Sequence, residues 1–336
     1  MVNTLIKLGL ILLALNLTHF GHADDHSKKG AVLITGATSG SGLALAERLA
    51  KSGVYVFAGA RKDKDMEMLN KIPNVEAVRL DVTVDEHIQK AVEQVKASGR
   101  PLHGVVNNAG VGLMAPLIEL KESDLKFILN VNAYGPYRVT KAFAPMLIES
   151  KGRVVTIGSI AGFQSRGFYG PYSMSKHMAE AYSDSLAREM NKFGVKVSMV
   201  EPGGFRSDIG KNIFNRLQKK GMDFKGSLYE QEWQSNWVLQ GGDLDNVPNI
   251  MGPDEVAKVA EHALYSDTPK PRYMIIGDAG RQQATTDTIL ARVAAMNASS
   301  NHPFTRDELI KILDEELDRI ESIAPSKAKS DAKESK

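Results

Sequence analysis

Apolar residues run along this chain in two rhythms. Ala31 to Thr35 (AVLIT) is a nearly unbroken apolar run, the pattern of a strand buried on both faces. A glycine-rich turn follows, and then Leu43 to Lys51 with apolar residues at helical spacing. The alternation recurs. Val54 to Ala58, Val75 to Leu80, Leu102 to Val106, Arg153 to Ile157, Val195 to Val200 and Arg272 to Ile276 read as strands. Val84 to Ala97, Phe127 to Glu149 and Tyr172 to Asn191 read as helices between them. Strands alternating with helices predict an α/β fold, a doubly wound parallel sheet of about seven strands with helices on both faces and right-handed crossovers.

No linker interrupts residues 30–280, so that span is expected to be one domain. Within it, residues 204–252 break the rhythm and hold both Trp233 and Trp237, as an insertion that covers a site would. A helical extension is expected over 281–324. Its apolar residues Leu309, Ile312, Leu313, Leu317 and Ile320 form one stripe, and Thr305 and Glu308 are placed as a capping box. That stripe predicts docking on the body or on a partner subunit. Residues 325–336 (PSKAKSDAKESK) read as a disordered tail. At the other end, Lys7 precedes a short apolar run, Leu8 to Leu17, and residues 18–23 close on Gly21-His22-Ala23. That layout predicts a signal peptide over residues 1–23 and export to a periplasm or secretory lumen. The alternative is a membrane anchor, for which the run is shorter than the about 20 residues a span needs. Membrane contact is expected through the N-terminus alone.

Composition narrows the chemistry. The 42 basic and 40 acidic residues leave a net charge of +2, which gives no reason to expect a nucleic acid partner. With no cysteine, disulfides, zinc-thiolate sites and thiol nucleophiles are excluded. His19, His22 and His26 lack the spacing and carboxylate support of a metal site, and no metal is expected. The glycines between the first strand and first helix allow a phosphate to approach the backbone, where helix N–H groups and partial positive charge meet it. Tyr172 and Lys176 lie one helical turn apart on one face. An ammonium beside a phenol favours the phenolate, so the pair predicts a proton donor and its tuner. Ser159 ends a strand, where ligands sit in open α/β sheets. After the second strand come Arg61 and Lys62 with no acid at the strand end, which favours a 2′-phosphate over a free ribose hydroxyl.

The motifs occur in a telling order. TGxxxGxG spans Thr35 to Gly42, Asp81-Val82 follows the third strand, and Asn107-Asn108-Ala109-Gly110 the fourth; then come Asn132 in NVN, Ser159, Tyr172, Lys176 and Pro202-Gly203. This series, over about residues 30–278, resembles the short-chain dehydrogenase/reductase superfamily in its single-domain branch. PGGFRSD and PRYMIIGDA are similar to members acting as 17β-hydroxysteroid and retinol dehydrogenases. The resemblance implies a Rossmann-like fold and an NAD(P)-dependent alcohol dehydrogenase or ketone reductase, with NADP(H) expected over NAD(H) from Arg61. It implies a catalytic set of Asn132, Ser159, Tyr172 and Lys176. It implies cofactor contacts from Thr35, Gly36, Ser39, Gly40, Ser41, Gly42, Asp81, Val82, Asn107, Ala109, Gly110, Pro202, Gly203 and Ser207, with Tyr172 and Lys176 at the nicotinamide ribose. Phe163, Phe168, Tyr169, Phe205, Phe214, Trp233 and Trp237 suggest an apolar pocket for a steroid-, retinoid- or lipid-like alcohol or ketone. Family members are often homodimers or homotetramers through two long helices. The alternative function is a nucleotide-binding sensor or scaffold without turnover; a sugar-nucleotide epimerase is disfavoured by the glycine spacing.

Overall fold

The computed structural model describes residues 30–323 apart from 223, 237, 239–240 and 243–249. The expected signal segment, the three N-terminal histidines, Trp237 and the tail lie outside the described residues.

Seven strands form one parallel sheet: β1 (Ala31–Ile34), β2 (Val56–Ala60), β3 (Val75–Arg79), β4 (Leu102–Asn107), β5 (Arg153–Ile157), β6 (Lys196–Pro202) and β7 (Arg272–Ile275). Their order is β3-β2-β1-β4-β5-β6-β7, every pair parallel. The helices in chain order are α1 (Gly40–Lys51), α2 (Asp63–Leu69), α3 (Asp85–Ala97), α4 (Glu122–Asn132), α5 (Tyr134–Ser150), α6 (Gly170–Met190), α7 (Ile209–Lys219), α8 (Glu230–Gln234), α9 (Pro253–Tyr265), α10 (Ala279–Ala298) and α11 (Arg306–Ile323). Two cores cover the two faces of the sheet. Leu45 and Leu49 of α1 with Val256, Ala260 and Leu264 of α9 pack on one. Ile88 and Val95 of α3 with Val139, Phe143 and Leu147 of α5 pack on the other. Strand order reverses direction between β1 and β4, which opens a crevice at the strands' C-terminal ends.

Three elements differ from expectation. The long helix expected over 127–149 is two helices that break at Ala133 (φ −112°, ψ −56°). The cause is Pro136, which has no N–H for the Asn132 carbonyl four residues back. The second strand begins at Val56 rather than Val54, because the Val54 amide donates to the Leu49 carbonyl (3.0 Å) and closes the end of α1. The C-terminal stripe does not dock on the body: Ile312, Leu313, Leu317 and Ile320 of α11 are 41–57% exposed. The capping box does form, Thr305 N donating to Glu308 Oε2 (2.7 Å) and Glu308 N to Thr305 Oγ1 (3.3 Å). No helix among the described residues is long and apolar enough to cross a membrane.

The insertion has a small core of its own. Trp233 is fully buried, stacks on Phe224 at 3.9 Å and meets Phe168 at 5.0 Å. Met114, Ile213, Leu217 and Val238 complete the cluster. Helix α7 rests on Gly112, where an added Cβ would lie 2.5 Å from Ile213 Cδ1.

Candidate active site

The crevice begins at the turn after β1. Gly36 (φ +63°) adopts a left-handed backbone, and a Cβ there would stand 2.9 Å from the Ala109 Cα. A Cβ on Gly40 (φ +55°) would meet nothing within 4 Å. Ser39 precedes α1 without making a side-chain cap bond, and the first turn of α1 holds no acidic residue. Its first N–H groups therefore keep an uncancelled positive potential, and the Ser39 hydroxyl is not spent on a cap. These residues fit the pyrophosphate of a dinucleotide.

Asn108, which the motif reading did not assign, braces this turn. Its Nδ2 donates to the carbonyls of Thr35 (3.0 Å) and Gly36 (2.9 Å), and its Oδ1 accepts from Ser41 Oγ (2.8 Å). Thr35 and Asn107, read as cofactor contacts, spend their side chains inside the protein. Thr35 Oγ1 accepts from the amides of Asn108 and Ala109 (both 3.0 Å) and donates to Val106 O (3.3 Å), tying β1 to β4. Asn107 Nδ2 donates to Thr140 Oγ1 (2.9 Å) beneath the sheet end. Val82 likewise packs into the core, against Gly135. Gly110 lies beside Asn132, whose Oδ1 would be 3.6 Å from a Cβ there.

At the far side of the turn, Asp81 Oδ1 accepts from Thr83 N (2.9 Å) and Thr83 Oγ1 (2.7 Å). Burial pushes the Asp81 carboxyl up, but the Thr83 bonds and nearby Arg61 hold it below its ordinary value. Arg61 follows β2 directly, is two-thirds exposed, and lies 3.8 Å from Asp81. On the opposite side, Pro202 ends β6, Gly203 N donates to Ile275 O (2.7 Å), and Ser207 is half-buried just ahead of α7.

The reacting end lies between β5 and α6. Ser159 caps a short 3₁₀ turn, Ile160–Gly162, its Oγ accepting from Ala161 N (3.1 Å). That bond fixes the rotamer of a hydroxyl near enough to Tyr172 to lower its pKa. Pro171 in the first turn of α6 sets the helix so that Tyr172 and Lys176 share the inward face. Lys176 Nζ donates to the Ile157 carbonyl (2.9 Å) and stands 5.7 Å from the centre of the tyrosine ring. Asn132 locks α4 to this face. Its Nδ2 donates to Ser175 Oγ (3.0 Å) and to Val111 O (2.9 Å), and its Oδ1 accepts from Val111 N (2.9 Å).

The electrostatics depart from expectation. The sequence predicts a tyrosine lowered by its lysine. Burial instead pushes the Tyr172 phenol up to about 12, with the Ser159 hydrogen bond pulling the other way. Burial also pushes Lys176 down to about 8, and Glu180 alone opposes it. Desolvation of a phenolate outweighs an ammonium that is itself desolvated and already bonded to a carbonyl. Of the aromatic residues read as pocket lining, Trp233 and Phe168 belong to the insertion's core, with Tyr169 and Phe214 packed against it. Phe205 packs against the main core. Phe163 lies under the Arg272 guanidinium, at 5.4 Å.

Comparisons with known proteins agree with this arrangement. The family profile described as short chain dehydrogenase matches residues 30–218. Retinol dehydrogenase 7 of Rattus norvegicus is 35% identical over 267 residues, covering 76% of this chain and 83% of that protein. The mitochondrial D-beta-hydroxybutyrate dehydrogenase of Bos taurus is 34% identical over 267 residues, covering 72% and 76%. The crystal structure of a short-chain dehydrogenase from Streptomyces avermitilis superposes with a TM-score of 0.61 at 27% identity, over 80% of this chain and 93% of that one. The glycine turn at the sheet's switch point, the tyrosine and lysine on one helix face, and relatives sharing a third of their residues leave one conclusion: the chain belongs to the short-chain dehydrogenase/reductase family of nicotinamide-dependent oxidoreductases.

Proposed function

We propose that this protein is an NADP-dependent oxidoreductase that interconverts a secondary alcohol and a ketone or aldehyde, with Tyr172 as general acid and base. The observation that carries this reading is the convergence of Ser159, Tyr172, Lys176 and Asn132 at the ends of β5, α6 and α4, beside a turn built for a pyrophosphate. When bound, the nicotinamide supplies or takes up a hydride at the substrate carbon. The chain's own residues handle the oxygen. Ser159 holds it, its hydroxyl fixed by Ala161 N. Tyr172 gives that oxygen a proton in reduction and takes it back in oxidation. Lys176 bonds the nicotinamide ribose and stabilises charge on the phenol. The Asn132 carbonyl, denied an N–H by Pro136, accepts from a water that passes protons toward Lys176.

Arg61 supports NADP. It stands at the end of β2 with its guanidinium in solvent, where a 2′-phosphate would meet it and displace its long contact to Asp81. Replacing Arg61 by Ala is expected to weaken NADPH binding about tenfold or more and to leave NADH within about a factor of two, since only the phosphate contact is lost. Equal losses for both nucleotides in a fluorescence titration would refute the assignment. The retinol dehydrogenase relative and the apolar composition of the insertion support an apolar substrate. Exposed Tyr134 and Tyr137 on α5 and Met174 and Met178 on α6 support self-association through those helices. Residues 1–23 support export, and a mature protein beginning at Asp24 in N-terminal sequencing is the expected result; an intact Met1 refutes cleavage. The function as a whole is tested by NADPH oxidation with a panel of apolar ketones. Nucleotide binding without turnover on any of them would leave the protein a nucleotide-binding module.

A further inference from the structure

Beneath the reacting end lies a buried charge cluster that the proton chemistry above does not use. Glu180 is one turn beyond Lys176 on α6 and is 6% exposed; Glu201 on β6 is 1% exposed. Both carboxylates meet Arg272 at the start of β7: Glu180 Oε2 accepts from its Nη1, and Glu201 Oε1 accepts from the same Nη1 at 2.6 Å. Asp184, exposed one turn further along α6, accepts from Nη2 at 2.6 Å. Two buried carboxylates face one part-exposed guanidinium, and buried Lys176 is the second cation that balances them. Ion clusters taken out of water persist when each charge has its counter-charge, and removing one member leaves the others uncompensated.

Glu180 also touches the turn that carries Ser159. A Cβ on Gly158 would lie 3.2 Å from Glu180 Oε1, and one on Gly162 would lie 2.7 Å from its Cγ. The two glycines bracketing Ser159 thus make room for this one side chain. Its Oε1 is buried and has no hydrogen-bond partner. A bare carboxylate oxygen at that depth is costly unless its charge acts on something nearby, and Lys176, one helical turn away, is the other cation on which Glu180 acts. Burial pushes Glu180 up, with Arg272 pulling it down. Glu180 in turn draws Lys176 back toward its charged form.

We propose that Glu180 is a positioning residue for the reaction: it seats the Ser159 turn against α6 and keeps Lys176 an ammonium, while Arg272 and Glu201 hold Glu180 in place. This rests on the roles given above to Tyr172 and Lys176. The groups facing Lys176 and Glu180 are Tyr172 and Asp184 from α6, Glu201 from β6 and Arg272 from β7; the Ser159 turn brings no charge.

The test is the pH profile of ketone reduction by the full chain carrying Glu180→Gln. The substitution keeps the shape and removes the charge. Without Glu180's charge, Lys176 loses its proton at lower pH, so the alkaline limb of kcat is expected to move acidward by about one pH unit. A loss of rate that is even across pH, with the limb unmoved, overturns the proposal. In a Lys176→Arg background the side chain stays charged at every working pH, and Glu180→Gln is expected to leave the profile without a shift; a shift that persists there also overturns it. Should the Gln variant fail to fold, Glu180→Asp draws the carboxylate back by one methylene, and the same limb is read: acidward movement supports the proposal, an unmoved limb refutes it. Full turnover in Tyr172→Phe would instead remove the functional reading itself, whatever Glu180 does.

Discussion

Tyr172→Phe is expected to reduce ketone turnover about a thousandfold, the typical worth of a positioned acid-base group, while NADPH affinity changes by no more than about fivefold, the worth of one hydrogen bond. Tyr172 is the titratable group on which the Ser159 hydroxyl acts, and Lys176, one of whose protons goes to the Ile157 carbonyl, stands 5.7 Å from the centre of the tyrosine ring. The phenylalanine ring fills the same half-buried space, so the fold has no reason to change. The pH dependence of the parent follows from the two shifts. With the phenol pushed up to about 12, Tyr172 stays protonated and ready as an acid across the neutral range. With Lys176 pushed down to about 8, the ammonium that supports it is lost as pH rises past that value. Reduction is therefore expected to hold below about pH 8 and to decline above it. Stopped-flow NADPH oxidation across pH 6–10 reads both. A Phe variant retaining a tenth of the parent rate would show that Tyr172 is not the proton donor.

Gly42→Ala is expected to destabilise the protein by about 2–3 kcal/mol, the upper range for overpacking a tight site, which lowers Tm by roughly 5–10 °C. The new Cβ would lie 2.5 Å from the Gly36 carbonyl oxygen and closer still to Asn108 Nδ2. Neither neighbour can yield cheaply. One is backbone, and the other makes two hydrogen bonds that hold the turn. Gly40→Ala is the contrasting control. Its Cβ would meet nothing within 4 Å, so only the left-handed φ of +55° opposes it, at about 1–2 kcal/mol. Thermal melting without nucleotide separates the two. Equal Tm values for both variants would mean that the turn relaxes around position 42, and that Asn108 is not a brace.

The sheet was legible because its strands are buried on both faces and so read as unbroken apolar runs, as AVLIT does. The break at Ala133 was not, because the apolar spacing continues through it. The signal was Pro136, which suits the first turn of a new helix better than the middle of an old one. Tyr172, Lys176 and Ser159 stood out by spacing along single elements. Asn108 sits inside a motif whose neighbours attracted the assignments, yet Asn107 points into the core and Asn108 carries the turn. The Glu180 cluster was beyond reach: Arg272 is 92 residues from Glu180 and 71 from Glu201, and only the parallel pairing of β6 with β7 joins them. The tyrosine's environment escaped for a different reason. Spacing shows who stands beside a phenol, and depth decides which neighbour's effect prevails.

The separate core around Trp233 has a consequence for how such a protein changes over time. Among the described residues, the insertion holds an apolar cluster around Trp233, in which Met114 and Phe168 of the body take part and which rests on Gly112. The sheet, the glycine turn and the Tyr172 face draw on other cores. Substitutions in the segment around α7 and α8 can therefore repack that cluster while leaving the apolar packing on both faces of the sheet in place. The segment and the sheet rest on apolar clusters that selection can alter one at a time.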